Sequence, residues 1–173
     1  IKDFSSTTVP ADVDFVVHLA AIADVRRSLK EPELYWTTNV EYSKKIFDLC
    51  HKNSIPVVYA SSSCVHAWWK SPYGTSKKAM EAIAHPGQVG LRFTTVFGKG
   101  ARDTMLMSRI RNGTVKFATE HIRDLIYVED VVSAIMIFIE TGTQNKNSTY
   151  GDDRIFSHSV YDYFDCYKHF NKK

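Results

Sequence analysis

Tyr73 and Lys77 stand four residues apart, in the segment Ser71-Pro72-Tyr73-Gly74-Thr75-Ser76-Lys77. On a helix, positions i and i+4 share one face, so the phenol and the ammonium are neighbours. A lysine ammonium beside a phenol favours the phenolate and lowers a pKa that starts near ~10. A tyrosine placed in this way can take and return a proton near neutral pH. Alone, the pair carries little weight. Nine tyrosines and 14 lysines in 173 residues give roughly 0.7 chance matches to so short a motif. The seven histidines and three cysteines show no metal-ligand spacing, so no metal is expected. His18 closes an apolar run and is expected to be packed and hydrogen-bonded rather than reactive.

These side chains need a scaffold, and the hydrophobic pattern supplies one. Asp14 to Ala21 and Ser54 to Ala60 are short, β-branched apolar runs that read as buried strands. Val89 to Val96 is a third strand, stopped by Phe97-Gly98. Leu125 to Val128 is a short extended piece. Between them lie helices over 32–52, 73–84 and 104–111, with another over 129–140. Pro72 opens one of these and Asn112-Gly113 ends another. The alternation predicts an α/β fold, a doubly wound parallel sheet with helices on both faces. Ligands of such sheets sit at the carboxyl ends of the strands. That directs attention to His18–Ala23, Ala60–Cys64 and Phe93–Gly98.

Composition excludes several classes. At 173 residues and 44% hydrophobic, the chain is long and apolar enough to bury a core, which excludes disorder as its main state. A net charge of +3 is too balanced to argue for nucleic acid. No apolar run approaches the ~18–20 residues of a membrane span, and Ile1-Lys2-Asp3-Phe4 lacks a signal-peptide layout. Cys50, Cys64 and Cys166 are isolated and odd in number, so a reducing cytoplasm is expected.

Five segments in order carry a resemblance. They are His18-Leu-Ala-Ala21, Val57-Val-Tyr-Ala-Ser-Ser-Ser63, Ser71 to Lys77, Gly90-Leu-Arg-Phe-Thr-Thr-Val-Phe-Gly98 and Arg123-Asp-Leu-Ile-Tyr-Val-Glu-Asp130. Together they resemble the extended short-chain dehydrogenase/reductase family. Within it they are most similar to the NAD-dependent nucleotide-sugar epimerases of the UDP-glucose 4-epimerase type. The resemblance implies a Rossmann-type fold with a small or truncated C-terminal substrate lobe. Residues 1–98 would be a partial dinucleotide-binding domain carrying the catalytic residues. Residues 99–173 would be a partial substrate lobe with the returning helices of the same domain.

The resemblance also implies roles. Ser62, Tyr73 and Lys77 match the catalytic set, Tyr73 moving the proton of the sugar 4-hydroxyl and Ser62 bonding to the same oxygen. NAD is the implied cofactor, with a 4-keto sugar as the intermediate. Ile1, Leu19, Ala20, Ala21, Thr38, Asn39, Ala60 and Thr94 match cofactor-side positions, joined by Tyr73 and Lys77 themselves. Thr95 and Arg123 match substrate contacts, Arg123 as a cationic fork for the diphosphate. The dehydratase branch carries two carboxylates after its catalytic threonine. Here those positions are Ser63 and Cys64, which favours epimerisation over elimination. A nucleotide-sugar reductase and a non-catalytic truncated binding domain are the alternatives. The family implies a homodimer through the helices at 33–52 and 73–84, a nucleotide-sugar substrate, and neither nucleic acid nor membrane as partner.

The sequence departs from that pattern in two places. None of the eight glycines forms the glycine-rich turn that cradles a dinucleotide pyrophosphate. Ile1 enters the pattern just after its third strand. Ser62 to Tyr73 is 11 positions, shorter than the family spacing, and Ala84-His85-Pro86-Gly87 leaves little room before the next strand. Segments of the family pattern are therefore expected to be absent, the chain being either a minimal enzyme or the ordered parts of a longer protein. Trp68-Trp69 fits either a substrate lid or a surface anchor, and Arg102-Asp103 lies where the substrate lobe begins. Arg26-Arg27 and Asp152-Asp153 read as solvated, and Tyr161 to Phe170 as a packed terminal helix.

Overall fold

The computed structural model describes residues 12–116 and 124–144. Its centre is β2 (Val57–Ser62), buried along nearly its whole length. Parallel strands flank it on both sides: β1 (Val16–His18) and β3 (Val89–Phe93), giving the order β1-β2-β3. The register pairs Val17 with Val58 and Ala60 with Leu91. A strand hydrogen-bonded on two edges and covered on two faces must be apolar throughout, which Val57-Val58-Tyr59 supplies.

The expected strand over 89–96 is divided. Thr94 leaves the ladder, and β4 (Thr95–Phe97) pairs instead with β5 (Leu125–Tyr127) in a second parallel ladder. The cause is the partner. β2 ends at Ser62, opposite Phe93, and the chain then turns into a 3-10 helix. Residues after Phe93 have no strand beside them until β5 arrives.

Helices cover both faces, as the alternation predicts. On one face, α3 (Tyr42–Lys52) and α4 (Pro72–Ala82) bury Phe47, Cys50 and Met80 against Val57 and Tyr59. On the other, α6 (Val128–Gln144) lays Val131 and Ile135 on Val58 and Leu91. Two short helices, α1 (Val25–Ser28) and α2 (Pro32–Trp36), precede α3, and α5 (Leu106–Arg111) follows β4. The sequence gives no signal for α1, which Asp24 caps by accepting from Arg27 N at 3.0 Å. The expected single helix over 32–52 contains a π-helical turn at Thr37–Glu41 between α2 and α3.

The short link from β2 to α4 is a 3-10 helix over Ser63–Lys70, kinked at Ala67. Gly74 makes it possible. A Cβ there would lie 2.9 Å from the Trp68 carbonyl oxygen and 3.0 Å from Trp68 Cα. Ser71 caps α4 by accepting from Gly74 N at 3.1 Å, with Pro72 in the first turn. The connection therefore lies directly on the N-terminal turns of the helix that carries Tyr73 and Lys77. Among the described residues, no helix is long and apolar enough to cross a membrane.

Candidate active site

Ser62, Tyr73 and Lys77 come together where β2 ends and α4 begins. All three are buried, with Lys77 only 2% exposed. The Ser62 hydroxyl accepts from Cys64 N at 3.2 Å and favours the charged form of the Tyr73 phenol. The Tyr73 ring stands edge-on to Tyr35, 6.3 Å between centroids. Lys77 Nζ donates to the Ala60 carbonyl at 2.6 Å and lies 3.7 Å from Met80 Sδ.

The electrostatics differ from the sequence expectation. Burial raises the Tyr73 pKa above its ordinary value, while the Ser62 hydroxyl and the Arg102 guanidinium pull it down. One of the Lys77 ammonium donors is directed to the Ala60 carbonyl. Burial also lowers Lys77 from 10.5 to about 8, partly offset by Glu81. At neutral pH both groups therefore keep their protons, the phenol neutral and the lysine charged.

His18, at the end of β1, is 6% exposed. Its Nε2 lies 2.8 Å from Ser43 Oγ, and its ring stands edge-on to Phe47. Burial, and then the Lys77 charge, lower its pKa to about 4. It is the packed, hydrogen-bonded residue expected from its place in the sequence, and it stays neutral beside the lysine.

Asn39, in the π-helical turn, is fully buried. Its Oδ1 accepts from Ile22 N at 2.8 Å, and its Nδ2 donates to Ile22 O at 3.0 Å and to Ser76 Oγ at 3.0 Å. Every polar atom of the amide is thus used inside the protein. Asn39 ties the loop after β1 to α4, one residue from Lys77. π-turns of this kind are often found at functional sites. Thr38 is buried beside it.

The other expected positions are distributed around this centre. Leu19 and Ala20 are exposed and Ala21 half-buried on the loop leaving β1. Ala60 offers its carbonyl to Lys77. Thr94 is the unpaired link between β3 and β4, and Thr95 opens β4, both half-buried. Arg102 is exposed and reaches the Ala23 carbonyl at 3.4 Å, close enough to act on Tyr73. Ile1 and Arg123 lie outside the described residues, as do Asp152-Asp153 and Tyr161 to Phe170. Trp68 and Trp69 are both exposed, edge to face. With Leu29 and Trp36, Trp69 borders an open groove of about 540 Å³ beside the start of α4.

Known proteins resemble this chain in sequence and in fold. The protein CapI of Staphylococcus aureus is 29% identical, matching 87% of this chain and 54% of CapI. That match runs over 180 positions, more than 87% of a 173-residue chain supplies, so CapI carries residues in this span that the chain lacks. UDP-glucuronate 4-epimerase 3 of Arabidopsis thaliana is 28% identical over 77% of this chain and 39% of its own length. The chain spans between 36% and 54% of the length of the curated relatives it matches. Among solved structures, MoeE5 in complex with UDP-glucose and NAD superposes with a TM-score of 0.67 at 30% identity, covering 78% of this chain and 56% of MoeE5. TunA, an NAD-dependent NDP-hexosamine 5,6-dehydratase, gives 0.67 at 28% identity, covering 75% and 52%. These neighbours bear out the α/β, Rossmann-type fold. Residues 3–151 match the model of the NAD dependent epimerase/dehydratase family, and with the Ser62, Tyr73 and Lys77 arrangement this shows that the chain belongs to that family.

Proposed function

We propose that this chain carries the acid–base centre of an NAD-dependent nucleotide-sugar 4-epimerase, an isomerase that works on a UDP-hexose through a 4-keto intermediate. The carrying observation is what surrounds Tyr73. The Ser62 hydroxyl favours the charged form of the phenol, and Ser63 and Cys64 stand next in the chain where an eliminating enzyme needs carboxylates. The nearest carboxylate below it on α4, Glu81, is locked to Arg92 and Ser61. Such a site can move one proton at one oxygen, which is all that reversible oxidation of a hydroxyl requires. The UDP-glucuronate 4-epimerases among the relatives support the same reading.

The residues present fit the nicotinamide side of NAD. Lys77 has three N–H donors, and the Ala60 carbonyl takes one of them at short range. The ammonium can therefore serve a ribose diol as well. The loop from Leu19 to Ile22, held by Asn39, would pass beneath the cofactor. When bound, NAD supplies the hydride acceptor and donor. In this reading Tyr73 carries the proton of the sugar 4-hydroxyl, Ser62 fixes the oxygen, and Arg102 meets the anionic part of the substrate. Leu29, Trp36 and Trp69, exposed around the 540 Å³ groove, support a homodimer formed across α2, α3 and α4. A cytoplasmic setting belongs to the same proposal.

The test is turnover of UDP-hexoses with NAD by the purified protein, read as the C4-epimer by NMR with absorbance at 340 nm followed alongside. Epimerisation leaves no net NADH change. Tyr73→Phe should keep the fold and lower turnover by about 10²-fold or more. Undiminished turnover in Tyr73→Phe refutes the assignment. Stoichiometric NAD(P)H consumption would make the protein a reductase, and an unsaturated sugar product a dehydratase.

A further inference from the structure

We propose that Glu81 is a positioning residue for this site: by clasping Ser61 and Arg92 it fixes the catalytic face of α4 to the ends of β2 and β3, and it keeps an anion one turn from the buried Lys77 ammonium. The proposal rests on the functional reading only in calling the site catalytic.

The geometry is specific. Glu81 Oε1 accepts from Ser61 Oγ at 2.6 Å and from Arg92 Nε at 2.8 Å. Oε2 accepts from Arg92 Nη2 at 2.9 Å, which makes the guanidinium contact a two-bond fork. The Glu81 side chain is 13% exposed and that of Arg92 28%. Ser61 and Arg92 are register partners on the β2–β3 ladder, so one carboxylate holds both strands. Ser61 lies between Ala60, whose carbonyl anchors Lys77, and Ser62, whose hydroxyl meets Tyr73. Tyr73, Lys77 and Glu81 are spaced by four, so they form one line along α4.

An apolar residue would suffice if packing were the whole requirement, and Met80 already packs α4 on Tyr59 at the next position. A carboxylate adds charge. A cation as deeply buried as Lys77 loses its proton unless an anion stands near it. The charged or titratable groups coupled to it are Glu81, from its own helix, and His18, from β1. Glu81 is the one anion among them, and it raises the Lys77 pKa against the effect of burial.

The experiment is an NMR titration of the lysine Nζ signals in ¹³C,¹⁵N-lysine-labelled protein, with Lys77 assigned by its loss in Lys77→Arg. The wild-type midpoint is expected at about 8. Glu81→Gln should lower it by about one unit, the size of effect of one opposite charge at this range. Glu81→Asp should recover part of that shift. Arg92→Gln, which removes the cation competing for the same carboxylate, should raise the midpoint and serves if Glu81→Gln does not fold. An unchanged Lys77 midpoint in Glu81→Gln, or in Arg92→Gln, overturns the proposal. No substrate is involved, so a titration that behaves as expected in a protein that turns over no nucleotide sugar supports the clasp while refuting the epimerase reading.

Discussion

Acidification should destabilise this protein through His18. The folded pKa is lowered from 6.5 to about 4, by burial first and by Lys77 second. Between those values the unfolded chain binds the proton and the folded chain does not. Stability therefore rises with pH across this window and is lost as pH falls from about 6.5 towards 4. Each pKa unit corresponds to about 1.4 kcal/mol, so the full effect is about 3 kcal/mol, of which about 2 kcal/mol is lost by pH 5. His18 is 6% exposed, so solvent screening does not reduce the figure. Urea denaturation at pH 7.5 and pH 5.0, followed by tryptophan fluorescence, measures it. His18→Gln is the control: its amide can still bond to Ser43 Oγ, and it does not titrate. The wild type should lose about 2 kcal/mol more than His18→Gln between the two pH values. Equal losses in the two proteins would refute the reasoning.

Further outcomes follow from packing and from the site. Leu91→Ala, at a fully buried position facing α6, should cost about 2–4 kcal/mol by chemical denaturation. Gly74→Ala should cost about 1–3 kcal/mol, because its Cβ would meet the Trp68 backbone at 2.9 Å and lift the 3-10 helix from α4; an unchanged melting temperature would show that the contact is not tight. Tyr73→Phe should lower turnover by about 10²-fold or more without altering the far-UV circular dichroism. Glu81→Gln should move the Lys77 titration downward.

Much of the fold was legible because a parallel sheet writes its strands as apolar runs. Val57 to Tyr59 is buried on both faces and reads so directly. α4 was legible from Ser71-Pro72, a cap followed by a first-turn proline. The division of 89–97 into two strands was not, because it depends on where β2 stops, some thirty residues earlier in the chain. Nor was α1, four residues held by a single aspartate cap. The π-turn left only a faint mark, the poor helix formers Thr37 and Thr38. For the site, spacing suggested Tyr73 and Lys77, and the family resemblance suggested Ser62. They did not show the direction of Lys77 Nζ, which a backbone carbonyl on β2 decides. The Ser61, Glu81 and Arg92 clasp was hidden for a similar reason. Its three members come from three elements, and no local pattern joins them.

The resting state of the site constrains how its tyrosine can work. Burial holds the Tyr73 phenol above its ordinary pKa, so it begins as a proton donor that a substrate oxygen can accept from. On the proposed epimerase reading, removing a proton from a sugar hydroxyl needs the opposite character. The change must come from groups that reach the phenolic oxygen once the site fills. Ser62 is already in place, and its hydroxyl favours the phenolate. Lys77 is charged near neutral pH but turned to the Ala60 carbonyl. A small rotation of its ammonium towards the phenol would bring an unscreened cation to a buried anion, where opposite charges within ~4–6 Å shift a pKa by one to three units. Arg102 already pulls in the same direction from the exposed side. An anionic substrate that engaged Arg102 would weaken that pull and leave the work to Lys77. This is the reason that the charge on Lys77, and the carboxylate that sustains it, matter more to such a site than the raised phenol alone suggests.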